Sequence, residues 1–196
     1  MTNQWASLDW LSAIPQFHIG AGGVLEVTTA NETDFWRETQ YGFIKDDGHA
    51  FLADAPLEFT LTVTLRGDFA ELYDHAGLML RASETEWLKF GVEFVGVLQW
   101  SAVMTHGKSD WSVQPAPQAP EYAFRMIRRG DAVIMHARDT ASRRWVLQRV
   151  AYFDPSRDAR AGVMACSPKR EGFHVAFREF KLEPPDLRTL HDLVED

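Results

Sequence analysis

Between Leu78 and Phe94 the apolar residues recur in steps of two. Leu78 and Leu80 fall on one side of an extended backbone, Met79 and Arg81 on the other. After a short polar stretch, residues 82–86, Leu88, Phe90, Val92 and Phe94 return on one side, with Lys89, Gly91 and Glu93 opposite. Side chains alternate between the two faces of a strand, so two such runs across a tight turn specify a β-hairpin with one buried face. Leu57, Phe59, Leu61, Val63 and Leu65 repeat the pattern against Glu58, Thr60, Thr62, Thr64 and Arg66. A chain built this way must bury one face of each sheet against another sheet.

The rest of the chain agrees. Residues 17–19 and 23–29 read as a strand pair joined through Gly20, Gly22 and Gly23. Residues 33–44 have no clean period and read as a long aromatic loop with a short strand, closed by the turn Asp46-Asp47-Gly48 before a strand at 49–53. Strands follow at 97–105 and 110–113, a Pro-rich surface loop over 115–120, and a hairpin at 122–137 around Gly130-Asp131. The last strands are 144–152, 161–167 and 173–182. The apolar positions of the final one change parity between Phe177 and Phe180, which predicts a bulge. Pro184-Pro185 stops it, and Asp186 is placed to cap a short C-terminal helix. Turn signals every few residues and almost no helix specify an all-β antiparallel sandwich or barrel, with the two-sheet sandwich expected: one domain over residues 1–196, with residues 184–196 as a short extension.

Composition narrows the function. The 196-residue chain carries a formal net charge of −8, the wrong sign for a nucleic-acid binder or for an anionic membrane surface. A single cysteine, Cys166, allows no internal disulfide, and the N-terminus lacks a signal-peptide pattern, so a cytoplasmic location is expected. The seven histidines are scattered, none in a His-x-His or His-x3-His pair, so neither a metal nor another cofactor is expected. Cys166 reads as a buried, inert thiol, and no nucleophile elbow or phosphate-binding glycine loop is present.

Several motifs taken in order carry a family likeness. Thr33-Asp34-Phe35-Trp36-Arg37, Tyr41-Gly42-Phe43, Ala76-Gly77-Leu78-Met79, Trp87-Leu88-Lys89-Phe90-Gly91-Val92-Glu93, Ser109-Asp110-Trp111-Ser112, Arg128-Arg129-Gly130-Asp131 and Gly162-Val163-Met164-Ala165-Cys166-Ser167-Pro168 resemble the regulation-of-enolase-protein family. The resemblance spans residues 8–182. The central hairpin also resembles accessory sandwich domains of xylan-degrading enzymes. The resemblance implies a concanavalin A-like jelly roll and a link to carbohydrate, and it implies no catalytic residues.

Sandwich glycanases set Glu-x-Asp-x-Glu along one strand; here the same spacing reads Lys89-x-Gly91-x-Glu93, with one acid in place of three. The expectation is therefore a non-catalytic binding domain for a carbohydrate or a small acidic metabolite. The alternatives are a cytoplasmic regulatory subunit with a protein partner, then a glycan-active enzyme. Charges do not lie unpartnered inside a sandwich, so Arg81, Lys89 and Glu93 should line an outer, concave sheet face. Trp36, Tyr41 and Trp111 would supply stacking, and Arg37 and Arg149 further charge. Gly91 would leave an open floor between Lys89 and Glu93. On this reading Gly91→Val or Lys89→Ala removes binding and spares stability. The competing reading makes the same charges a structural network that ties loops to the sheet, with the tryptophans as core.

Overall fold

The computed structural model describes residues 4–12, 14–141 and 144–194. Two seven-stranded antiparallel sheets dominate it. The first runs Asp9–Trp10, His49–Ala55, Ala159–Cys166, His75–Arg81, Glu86–Phe94, Leu98–His106, Lys108–Pro115 in spatial order; the second runs Val146–Tyr152, Ala132–Asp139, Tyr122–Arg129, Phe59–Gly67, His174–Glu183, Leu25–Thr28, Gln16–Ile19. Among the described residues no helix is long and apolar enough to cross a membrane.

The alternation sets the core. Leu78 pairs with Phe90 and Leu80 with Leu88, so their side chains stand together on the inner face of the first sheet. They meet Phe59, Leu61, Val63 and Leu65 of the second sheet, all of them fully buried. Phe90 sets its ring edge-on against Phe124 across the sandwich, with centroids 5.2 Å apart. Phe94, expected in this core, is only half-buried because the hairpin strand ends with it. Leu57 is likewise exposed, and that strand begins at Phe59.

The outer face of the first sheet is also buried in part. Residues 33–44 and the turn after them form a hairpin of two strands, Phe35–Arg37 and Ile44–Asp46, where the sequence predicts a loop with one short strand. Apolar side chains on both sides of it decide the matter: Phe35 and Trp36 pack on Met79, Trp87, Val103, Met164 and Cys166, a second apolar cluster behind the sheet. The bulge expected near the end of the last strand is present as a register shift between Arg178 and Lys181, with Glu179 at φ 55°. The C-terminal helix is not formed. Asp186 instead accepts from the Arg188 backbone N–H and guanidinium, and a 3-10 turn at Asp192–Val194 buries Leu193.

Candidate binding cavity

The covering hairpin leaves a cavity of about 450 Å³ between its tip and the sheet. Lys89, Glu93 and Val103 rise from the sheet as the floor, all three buried. Trp36, Tyr41 and Phe43 come from the hairpin, Tyr73 from the turn before His75–Arg81, and Trp111 from the edge strand. Glu32, Lys45 and Lys169 stand at the mouth. The hairpin base is pinned by the backbone N–H groups of Asp47 and Gly48 donating to the Asp34 carbonyl, and by the Asp34 N–H donating to Asp47 Oδ1 at 2.9 Å. That clamp aims the Asp34 side chain at the sheet.

There it meets Lys89. The Lys89 ammonium donates to Asp34 Oδ1 at 3.0 Å and to His75 Nε2, also at 3.0 Å. His75 Nδ1 lies 2.7 Å from the Tyr73 carbonyl, so Nδ1 carries the proton and Nε2 accepts from Lys89. Burial, and then the Lys89 charge, push the His75 pKa below its ordinary value and keep the ring neutral. Burial alone would raise the Asp34 carboxyl, yet Lys89 holds it below the usual carboxylate range. Burial would lower Lys89, yet Asp34 and, less strongly, Glu93 hold it above the ordinary lysine value. The ammonium is therefore charged, paired and buried.

The fold brings together a potential metal set that the scattered histidines did not announce. Ligand atoms of Asp34, His75 and Cys166 lie within 4.8 Å of one another. Two of the three already share the Lys89 ammonium, and burial pushes the Cys166 thiol well above its ordinary pKa, away from the thiolate that a metal binds. The cluster thus holds a cation that belongs to the chain itself.

Of the residues expected at a site, Trp36, Tyr41, Lys89, Glu93 and Trp111 line this one cavity. Arg81, Arg37 and Arg149 lie outside it. Arg81 forks onto Asp46 with two bonds of 2.7 Å and lies 5.9 Å from the Phe35 ring centroid, stapling the hairpin to the sheet. Arg37 donates to the Gly107 carbonyl, and Arg149 ties the edge of the second sheet to Ser112 and Asp110 of the first. Asp46 keeps 30% of its side chain exposed, so water can resolvate it. Arg81→Ala is accordingly expected to cost about 2 kcal/mol, as read by urea unfolding. A loss below about 0.5 kcal/mol would mean that the fork holds nothing in place.

Gly91 does not provide an open floor. A Cβ built there would sit 2.0 Å from the Ala76 carbonyl oxygen and 2.7 Å from Gly77 Cα. The glycine is required by strand approach, so the expectation that valine spares stability is overturned. Sequence reasoning also left Asp34, His75, Tyr73, Phe43 and Lys45 out of the site. Asp34 lies 55 residues from the lysine it pairs with, and no local pattern links them.

Residues 10–185 match the family described as "Protein of unknown function (DUF1349)". The chain is 38% identical over 187 residues to a Saccharomyces cerevisiae protein named Regulation of enolase protein 1, covering 94% of this chain and 93% of that one. A crystal structure of a functionally unknown protein from Saccharomyces cerevisiae superposes with a TM-score of 0.87 at 35% identity, over 93% of this chain and 98% of the other. The carbohydrate binding module CBM66 from Bacillus subtilis shares the sandwich fold at a TM-score of 0.58 and 12% identity, over 91% of this chain and 97% of the module.

Proposed function

The chain belongs to the family described as "Protein of unknown function (DUF1349)", with Regulation of enolase protein 1 of Saccharomyces cerevisiae as a relative, and on that footing we propose that it is a non-catalytic carbohydrate-binding domain. The observation that carries this reading is a cavity of about 450 Å³ with an aromatic wall above a buried, charged floor. A sugar ring has apolar C–H faces and a rim of hydroxyls that both donate and accept. Trp36, Tyr41, Phe43 and Trp111 suit the faces; Lys89 and the tyrosine hydroxyls can donate, and Glu93 can accept. The volume falls in the range typical of small-ligand sites.

A small acidic metabolite fits less well. Lys89 is already matched by Asp34, and the remaining floor charge is the Glu93 carboxylate. Hydrolysis fits less well too. A glycosidase works with a pair of carboxyls on the bond it cleaves, whereas Asp34 is bound by Lys89, which leaves Glu93 as the one carboxyl on the floor. The fold shared with a carbohydrate binding module and the name of the yeast relative support sugar binding in a regulatory setting, with occupancy sensed by a protein partner.

Titration calorimetry against a panel of neutral hexoses and pentoses, amino sugars, uronic acids and sugar phosphates tests the reading. Binding by members of one sugar class is expected. Trp111, 37% exposed, can be removed without opening the core, so Trp111→Ala should weaken that binding about tenfold with little change in melting temperature. A panel in which nothing binds, or an undiminished Trp111→Ala affinity, would count against it.

A further inference from the structure

Glu93 is 8% exposed, lines the cavity, and its carboxylate has no hydrogen-bond partner among the described residues. The other charges around it are matched. Lys89 is bound to Asp34 at 3.0 Å, Lys45 to Asp47 at 3.1 Å, and the mouth carries Glu32 and Lys169 with opposite signs. Across the ladder Glu93 faces His75 on one side and Gln99 on the other, and His75 is a neutral ring already committed at both nitrogens. The Glu93 carboxylate opens onto the cavity, where only water meets it, and a ligand that brings a donor takes the place of that water.

A neutral hydroxyl could serve, but the surroundings favour a charged donor. Asp34 and Glu93 set two carboxylates against the one ammonium of Lys89, and aromatic rings attract cations through their faces. From this we infer that the cavity selects a sugar bearing a protonated amino group, a hexosamine, with its ammonium on Glu93 and its ring against the aromatic wall. The inference rests on the carbohydrate reading and adds the charge of the ligand to it.

Calorimetry on the full chain at neutral pH with glucosamine, galactosamine, glucose, galactose, N-acetylglucosamine and glucuronate tests it. The amino sugars are expected to bind at least about tenfold more tightly than the parent hexoses, the scale of a charge-assisted hydrogen bond. N-acetylation, which removes the charge, should erase that advantage in the unaltered protein. Glu93→Gln, nearly isosteric, should bring the ratio of amino-sugar to hexose affinity close to one, whatever it does to either affinity alone. Equal binding of glucosamine and glucose, or tighter binding of glucuronate, would overturn the inference and leave the carbohydrate reading standing. Binding of ethylammonium with no sugar bound, or no binding at all, would overturn both.

Discussion

Gly91→Val is expected to leave no stably folded protein. In the ladder Gly91 lies directly opposite Gly77, and the two backbones come so close that neither position has room for a side chain. A Cβ on Gly91 would stand 2.0 Å from the Ala76 carbonyl oxygen; one on Gly77 would stand 2.1 Å from that of Phe90. Both obstacles are backbone, which cannot rotate aside as a flexible side chain would. A Cβ on Gly162, in the strand next to His75–Arg81, would likewise stand 2.0 Å from the Phe51 carbonyl oxygen. Relief requires the central strands to move apart, which breaks the pairing that carries Lys89 and Glu93. The cost should exceed about 4 kcal/mol, a large part of the roughly 5–15 kcal/mol that holds a typical domain together. The first carbon is already the offending atom, so Gly91→Ala should suffer as well, and its urea midpoint measures the effect if the valine variant is insoluble. A Gly91→Val protein that melts within a few degrees of the parent would refute this account.

Much of the fold could be read from the sequence because its cause is local. Leu78, Leu80, Leu88, Phe90 and Val92 face the core since the backbone of a strand alternates, and the structure pairs them as the alternation requires. The reading weakens where strands end, at Leu57 and Phe94, because pattern does not mark where the partner strand stops. It also weakens at residues 33–44, whose two strands cover the outer face of a sheet and follow its shape instead of a period. The site was legible in part for a related reason. Charges are excluded from the sandwich interior, which placed Arg81, Lys89 and Glu93 on the outer face. That rule is silent on what covers the outer face. The hairpin brings Asp46 to Arg81 and Asp34 to Lys89, so Arg81 becomes a staple and Lys89 a paired floor residue, while the Glu93 carboxylate opens onto the cavity. The pairs join residues 35 and 55 positions apart, a distance at which a single sequence carries no signal.

Lys89→Ala is expected to cost about 3–5 kcal/mol, because it strands a buried partner instead of trimming an exposed one. Asp34, with 15% of its side chain exposed, would lose its counter-charge, and His75 Nε2 would lose its donor. Lys89→Met combined with Asp34→Asn removes both charges and should recover a good part of the loss. The pH dependence gives an independent check. The folded Asp34 pKa lies below the unfolded value, so its contribution is fully present above the unfolded carboxylate pKa of about 3.9 and is lost as pH falls through the folded value. Without Lys89 the burial that opposes ionisation prevails, the folded Asp34 pKa rises, and the carboxyl becomes a liability at neutral pH that protonation relieves. The deficit of Lys89→Ala relative to the parent should therefore be largest near pH 7 and shrink toward pH 4, measured by urea unfolding across that range. A deficit below about 1 kcal/mol at pH 7 would mean that Lys89 reaches into the cavity as a ligand contact alone. If the deficit is large, lost ligand binding in Lys89→Ala cannot be separated from a loosened hairpin. The chemistry of the cavity is then read through Trp111 and Glu93, which line it without holding the hairpin to the sheet.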